Sequence, residues 1–151
     1  MLSLSFLALF AAGCDGPSRA PLDDAAKALS QCAKLDVFIA PVAQDGSSKY
    51  TITDKSVIEG LAKTIDPKLP TSVLRGKYAT TTYVSVKAFA QAADTKPVLT
   101  FTIVDSKKLV FELDGKSHEA KLPDNELNRR LRKQDFDFQS RKNDEPEAKR
   151  R

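Results

Sequence analysis

The sequence predicts an α+β fold: an antiparallel sheet of about four to six strands with helices packed on one face. Three observations predict it. Short runs of alternating apolar and polar residues recur through the middle of the chain, at the period of a half-buried strand. The later runs are separated by short turn-forming stretches, Asp105-Ser106-Lys107-Lys108 and Asp114-Gly115, which join consecutive strands as hairpins. Three segments with apolar residues at helical spacing lie before the first strand, after the second and after the last, so that helices can cover a sheet face.

The first helix begins at Leu22. Leu22, Ala25, Ala26, Leu29, Cys32 and Ala33 recur at helical spacing. Asp23 and Asp24 occupy its first turn, where the helix dipole favours acidic groups. On this stripe Cys32 reads as a small buried hydrophobe, with a disulfide, redox or metal role as the alternative. Leu35-Asp36-Val37-Phe38-Ile39 and Tyr50-Thr51-Ile52 alternate as two strands around the loop Asp45-Gly46-Ser47-Ser48. Thr53 or Asp54 then caps a helix that carries Val57, Ile58, Leu61 and Ile65 on one face. Asp66-Pro67 is expected to end it, because the residue before proline avoids the α region. Residues 66–77, DPKLPTSVLRGK, read as a loop.

The meander follows. Val84, Val86 and Ala88 share one side of a strand from Tyr83. Leu99, Phe101 and Ile103 alternate with threonines in the next, opened by Pro97. Leu109, Phe111 and Leu113 line a third, and His118, Ala120 and Leu122 a fourth. Pro123-Asp124 opens the last helix, with Leu127 and Leu131 facing inward. Phe136 and Phe138 alternate with Asp135 and Asp137 and are expected to pack an extra edge segment onto the domain; an exposed pair would instead mark a docking site. Residues 139–151, QSRKNDEPEAKRR, are charged and nearly free of apolar side chains, which predicts a disordered tail.

The totals bound the function. A chain of 151 residues is one domain, able to bury roughly 70% of its unfolded surface without a disulfide or metal. Its 24 basic and 20 acidic residues give a net charge of only +4 with both signs interspersed, which argues against a nucleic-acid partner. With one histidine, two cysteines and no tryptophan, the inventory from which catalytic and metal sites are drawn is thin.

The N-terminus speaks to location. Residues 1–13, MLSLSFLALFAAG, carry no charge, and the run is shorter than the roughly 20 apolar residues that span a bilayer. It has the length of a signal-peptide core, and small residues follow it. Ala11-Ala12-Gly13-Cys14 resembles the lipobox of bacterial lipoproteins, whose usual form is Leu-Ala/Ser-Gly/Ala-Cys. The resemblance covers only this signal, with Ala11 where leucine is commonest. It implies that the Cys14 thiol is acylated by diacylglycerol, with further acylation such as palmitate, and that cleavage makes Cys14 the mature N-terminus. One acyl chain anchors marginally and two anchor stably. No Lys or Arg precedes the run, so the start codon is expected upstream of Met1. Asp15 behind the cysteine is similar to the signal that retains enteric-type lipoproteins in the inner membrane. Release as a secreted protein by an ordinary signal peptidase and a buried N-terminal structural segment are the alternatives. The expected organisation is a removed signal at 1–13, a tether at 14–21 (CDGPSRAP), one domain at 22–138 and a tail at 139–151.

Residues that could carry chemistry are few. His118 shares strand parity with Ala120 and Leu122, while neighbouring Ser117 points the other way, so no nucleophile–base pair is marked. Asp54 reads as a helix cap. Arg75-Gly76-Lys77 could meet an anion but matches no phosphate loop. The best patch is Arg129, Arg130, Arg132 and Lys133, outward on the last helix and suited to an anionic partner, either lipid headgroups or an acidic protein. The bland reading of that patch is a solvated helix face. No cofactor and no metal are expected. The sequence therefore points to a non-catalytic binding, assembly or immunity-type inhibitor module. It would be held to the envelope through Cys14, face the periplasm or another extracytoplasmic space, and have a protein partner there. An envelope hydrolase using paired carboxylates about 5–10 Å apart is the alternative.

Overall fold

A computed structural model describes residues 21–40, 47–74, 76, 83–113 and 115–144. The first 20 residues, with Cys14 and Asp15, lie outside the described residues, as do Arg75, Lys77, Asp114 and residues 145–151.

The chain runs α1 (Pro21–Gln31), β1 (Lys34–Ile39), β2 (Ser48–Ile52), α2 (Lys55–Ala62), β3 (Thr71–Val73), β4 (Tyr83–Phe89), β5 (Leu99–Val104), β6 (Lys108–Leu113), β7 (Lys116–Lys121) and α3 (Glu126–Asp144). The strands form one seven-stranded sheet in the order β2-β1-β4-β5-β6-β7-β3. Every neighbouring pair is antiparallel. This is the expected α+β class with a larger sheet.

The register places the predicted apolar sets in rows across the sheet. Val37, Val86, Phe101, Phe111 and His118 stand side by side, as do Ile39, Val84, Ile103, Leu109 and Ala120. Against this face pack Leu22, Ala25 and Leu29 of α1, Ile58 and Leu61 of α2, and Leu127 and Leu131 of α3. Burying a Leu, Ile or Phe side chain is worth roughly 1.5–3 kcal/mol, so one continuous core of such residues holds the three helices to one face. The opposite face carries Asp36, Phe38, Lys49, Ser85 and Lys87 on its β2-β1-β4 side.

The seventh strand is β3, in the stretch expected to be a loop. Its residues pair with Ala120, Glu119 and His118 of β7. None of the three is buried, so it shows no apolar alternation, and backbone pairing alone makes it a strand. At α2 the expected helix is shorter than its apolar stripe. The Asp54 carboxylate accepts from the Ser56 and Val57 amides at the start. After Ala62 the amides of Thr64 and Ile65 donate three residues back, to Leu61 and Ala62. That tightened turn still buries Ile65.

At α3 both ends differ from expectation. Pro123–Asn125 precede the helix, with the Asp124 carboxylate accepting from the Glu126 amide at 2.9 Å. The helix then continues through Asp144, six residues into the stretch expected to be tail. Gln139 explains part of this: its amide reaches the hydroxyl of Ser48 at 3.0 Å and so ties the extension to the edge of the sheet. Phe136 and Phe138 therefore lie on a helix and not on an edge segment. At about 100° per residue they point to nearly opposite sides. Phe138 meets the Tyr50 ring at 6.1 Å, while Phe136 is 71% exposed.

Candidate functional site

The first turns of α3, together with α2, build the site. Leu127 and Leu131 are buried, and this fixes the roll of the helix. Arg129, Arg130 and Lys133 are then carried to the side that faces α2. Between the two helices lies a groove of about 350 Å³, lined by Ser56, Val57, Gly60 and Leu61 of α2 and Glu126, Arg129, Arg130, Lys133 and Gln134 of α3. Three of the four predicted basic residues are thus brought together. The fourth is not: Arg132 turns away from the groove, and its Nε donates to the Asn128 side chain at 3.4 Å.

Glu126 organises the groove, and sequence reasoning missed it. Arg129 donates through Nε to Oε2 at 2.8 Å and through Nη2 to Oε1 at 2.9 Å. Arg130 donates through Nε to Oε1 at 2.7 Å. One carboxylate therefore holds two guanidiniums. Its own pKa is lowered, first by the bond from Arg130 and then by that from Arg129. The signal was the spacing, since Glu126 precedes Arg129 by three residues and Arg130 by four. Arg130 also extends Nη1 to the Gly60 carbonyl at 3.5 Å. Among the lining residues, three cations face one anion. In chemical terms the groove can hold an oxyanion by forked, charge-assisted hydrogen bonds.

The other predicted residues resolve plainly. Cys32 is a buried free thiol whose Sγ donates to the Ala28 carbonyl at 3.1 Å. Burial raises its pKa, against a smaller opposing effect of Lys55, so it is held as a neutral core group. His118 is half-buried and stacks on Phe111, with ring centroids 5.4 Å apart. Among the described residues no group of three or more His, Cys, Asp and Glu side chains is placed to hold a metal ion. Of Arg75-Gly76-Lys77 only Gly76 is described, with φ of 97°.

Two further features went unread in the sequence. On the open sheet face a cavity of about 560 Å³ is lined by Asp36, Phe38, Lys49 and Lys87 among others. At the sheet edge Asp135 accepts from the Ser48 hydroxyl, and the Tyr50 hydroxyl donates to the Leu131 carbonyl. No helix among the described residues is long and apolar enough to cross a membrane. No known family model matches the chain, and comparison with characterised proteins and with solved structures likewise finds no match.

Proposed function

We propose that this chain is a non-catalytic binding module of the bacterial envelope, anchored by lipid on Cys14, that captures an anionic group of a protein partner. The observation that carries the reading is the α2–α3 groove, where Arg129 and Arg130 share one carboxylate and Lys133 lines the same wall. Such a module acts in assembly or as an immunity-type inhibitor. The Cys14 anchor and the retention at the inner membrane read from Asp15 rest on the lipobox-like signal alone. Three of the carboxylates do not suit the acid role that hydrolysis requires. A glycosidase-type acid needs a carboxyl held protonated near neutral pH, whereas Asp54, Glu119 and Glu126 are all shifted downward by the hydrogen bonds they accept.

The test is affinity isolation of cross-linked complexes from envelope membranes, comparing the native chain with the triple variant R129Q/R130Q/K133Q. The expected result is a partner that is lost with the triple variant and kept with the native chain. Identical partners with both chains would remove the groove from the reading. Mass spectrometry of the N-terminal peptide tests the anchor, and an unmodified peptide running through Cys14 would refute it.

A further inference from the structure

The groove is not empty of ligand chemistry, because Glu126 already supplies a carboxylate to it. We propose that the α2–α3 groove binds a carboxylate-bearing segment of a partner polypeptide, and that Glu126 is the internal stand-in which that carboxylate displaces. The inference rests on the binding reading above and deepens it by naming the ligand class and the competing group.

Four observations support it. The first is geometric. Glu126 takes both oxygens into contact with the fork of Arg129, and Oε1 also accepts from Nε of Arg130, all at 2.7–2.9 Å. The arginines are thus arranged around a planar carboxylate, and an Asp or Glu side chain from outside presents the same shape.

The second is exposure. The Arg129 and Arg130 side chains are 65% and 48% exposed. Ion pairs of this kind are weak in water, so an incoming carboxylate with additional contacts can replace Glu126.

The third is charge. Arg129, Arg130 and Lys133 outnumber Glu126 among the lining residues. Lys133 has no ion-pair partner among the described residues. The internal carboxylate therefore leaves positive charge over for a ligand to meet.

The fourth is the lining between the charges. Val57 and Leu61 give an apolar strip, with Ser56 and Gln134 as hydrogen-bonding groups beside it. A peptide offers apolar side chains and backbone amides to such a strip, and a phosphate headgroup does not.

Acidification is the wrong probe, because Glu126 is held below the usual carboxylate range and an acidic peptide would be neutralised first. Substitution separates the two. The probe is a fluorescein-labelled octapeptide of alternating glutamate and leucine, titrated into the full chain at fixed salt and read by fluorescence anisotropy. E126Q is expected to tighten binding about fivefold, the upper range for release of a surface ion pair. E112Q makes the same charge change on the open sheet face and is expected to leave affinity unchanged. R129Q/R130Q is expected to weaken it at least about tenfold, as loss of two charge-assisted partners requires. The Arg129 and Arg130 Nε–H resonances are expected to shift on titration of the native chain.

If E126Q and E112Q behave alike while R129Q/R130Q weakens binding, displacement of Glu126 is overturned and the groove reading survives. If R129Q/R130Q binds the peptide as the native chain does, the peptide does not use the groove and the proposal fails. If the peptide fails to bind while vesicles containing phosphatidylglycerol bind in an Arg129- and Arg130-dependent way, the ligand is a lipid phosphate and the peptide assignment is overturned.

Discussion

Tyr50 shows how much one side chain can tie together here. It sits on an edge strand yet is buried, and its hydroxyl donates to the Leu131 carbonyl inside α3. Burial, and secondarily the charge of Asp135, push its pKa well above the usual tyrosine value, with Arg132 opposing. The folded state therefore favours the neutral phenol. Its contribution to stability is full below pH about 10 and declines as pH rises beyond that. In an alkaline absorbance titration of the three tyrosines, one is expected to ionise only as the protein unfolds; normal titration of all three would contradict the burial. Y50F keeps the ring and loses the bond, so urea denaturation should register about 1 kcal/mol of destabilisation. Asp54 behaves in the opposite sense. Bonds from the Ser56 hydroxyl and from the Ser56 and Val57 amides lower its pKa, so its contribution is present above the ordinary aspartate range and is lost as pH falls through the folded value. D54N retains a capping oxygen and should flatten that part of the acid-unfolding profile, whereas D54A should lower stability at neutral pH as well. Both residues bear on legibility. The Asp54 cap was readable because it needs only local sequence. The Tyr50 bond spans 81 residues and leaves no local trace.

At the scale of elements, legibility followed burial. The core parity of β4, β5 and β6 is plain in the chain because one face packs against helices, although Thr102, Val104 and Val110 on the other face are buried too. β3 has no buried residue and holds its place by pairing with β7, so its sequence carries no period. The C-terminal half of α3 was hidden for a related reason. Its polar residues look like a solvated tail until Ser48 is brought beside them. Asp135 and Gln139 lie one turn apart and both bond the Ser48 hydroxyl, which fastens α3 to the free edge of the sheet. The candidate groove divides in the same way. Its basic residues were visible as a run, but their convergence depends on α2, and Glu126 was hidden because an acidic residue in a first helical turn is already explained by the dipole. Because the latch is one connected network, its members should not act additively. A double-mutant cycle with S48A and D135A should give a coupling of about 0.5–3 kcal/mol in urea denaturation. Simple additivity would mean that the Ser48–Asp135 bond contributes nothing to holding α3 at the sheet edge.

For the whole molecule, the proposed attachment point lies outside the core of the described residues. The core cluster among the described residues begins at Leu22 and ends at Leu131, and α1 is its first contributor, with Leu22 and Leu29 fully buried. Each such leucine is worth about 2–5 kcal/mol when truncated, and domains have only about 5–15 kcal/mol in total. A chain that begins at residue 20 keeps this helix, and its melting temperature should match that of the full chain. A chain that begins at residue 33 lacks α1 and uncovers the apolar groups beneath it, so circular dichroism should show loss of cooperative unfolding. The same placement gives the anchor a clean test. Cys14 precedes the first core residue by eight positions, so C14S should leave the melting temperature unchanged. It should move the protein from the membrane pellet to the supernatant if the thiol carries the lipid. Retention of C14S in the pellet with a native melting curve would show that another surface holds the membrane. The basic groove side of α3 and the exposed Phe136 would be the first places to look.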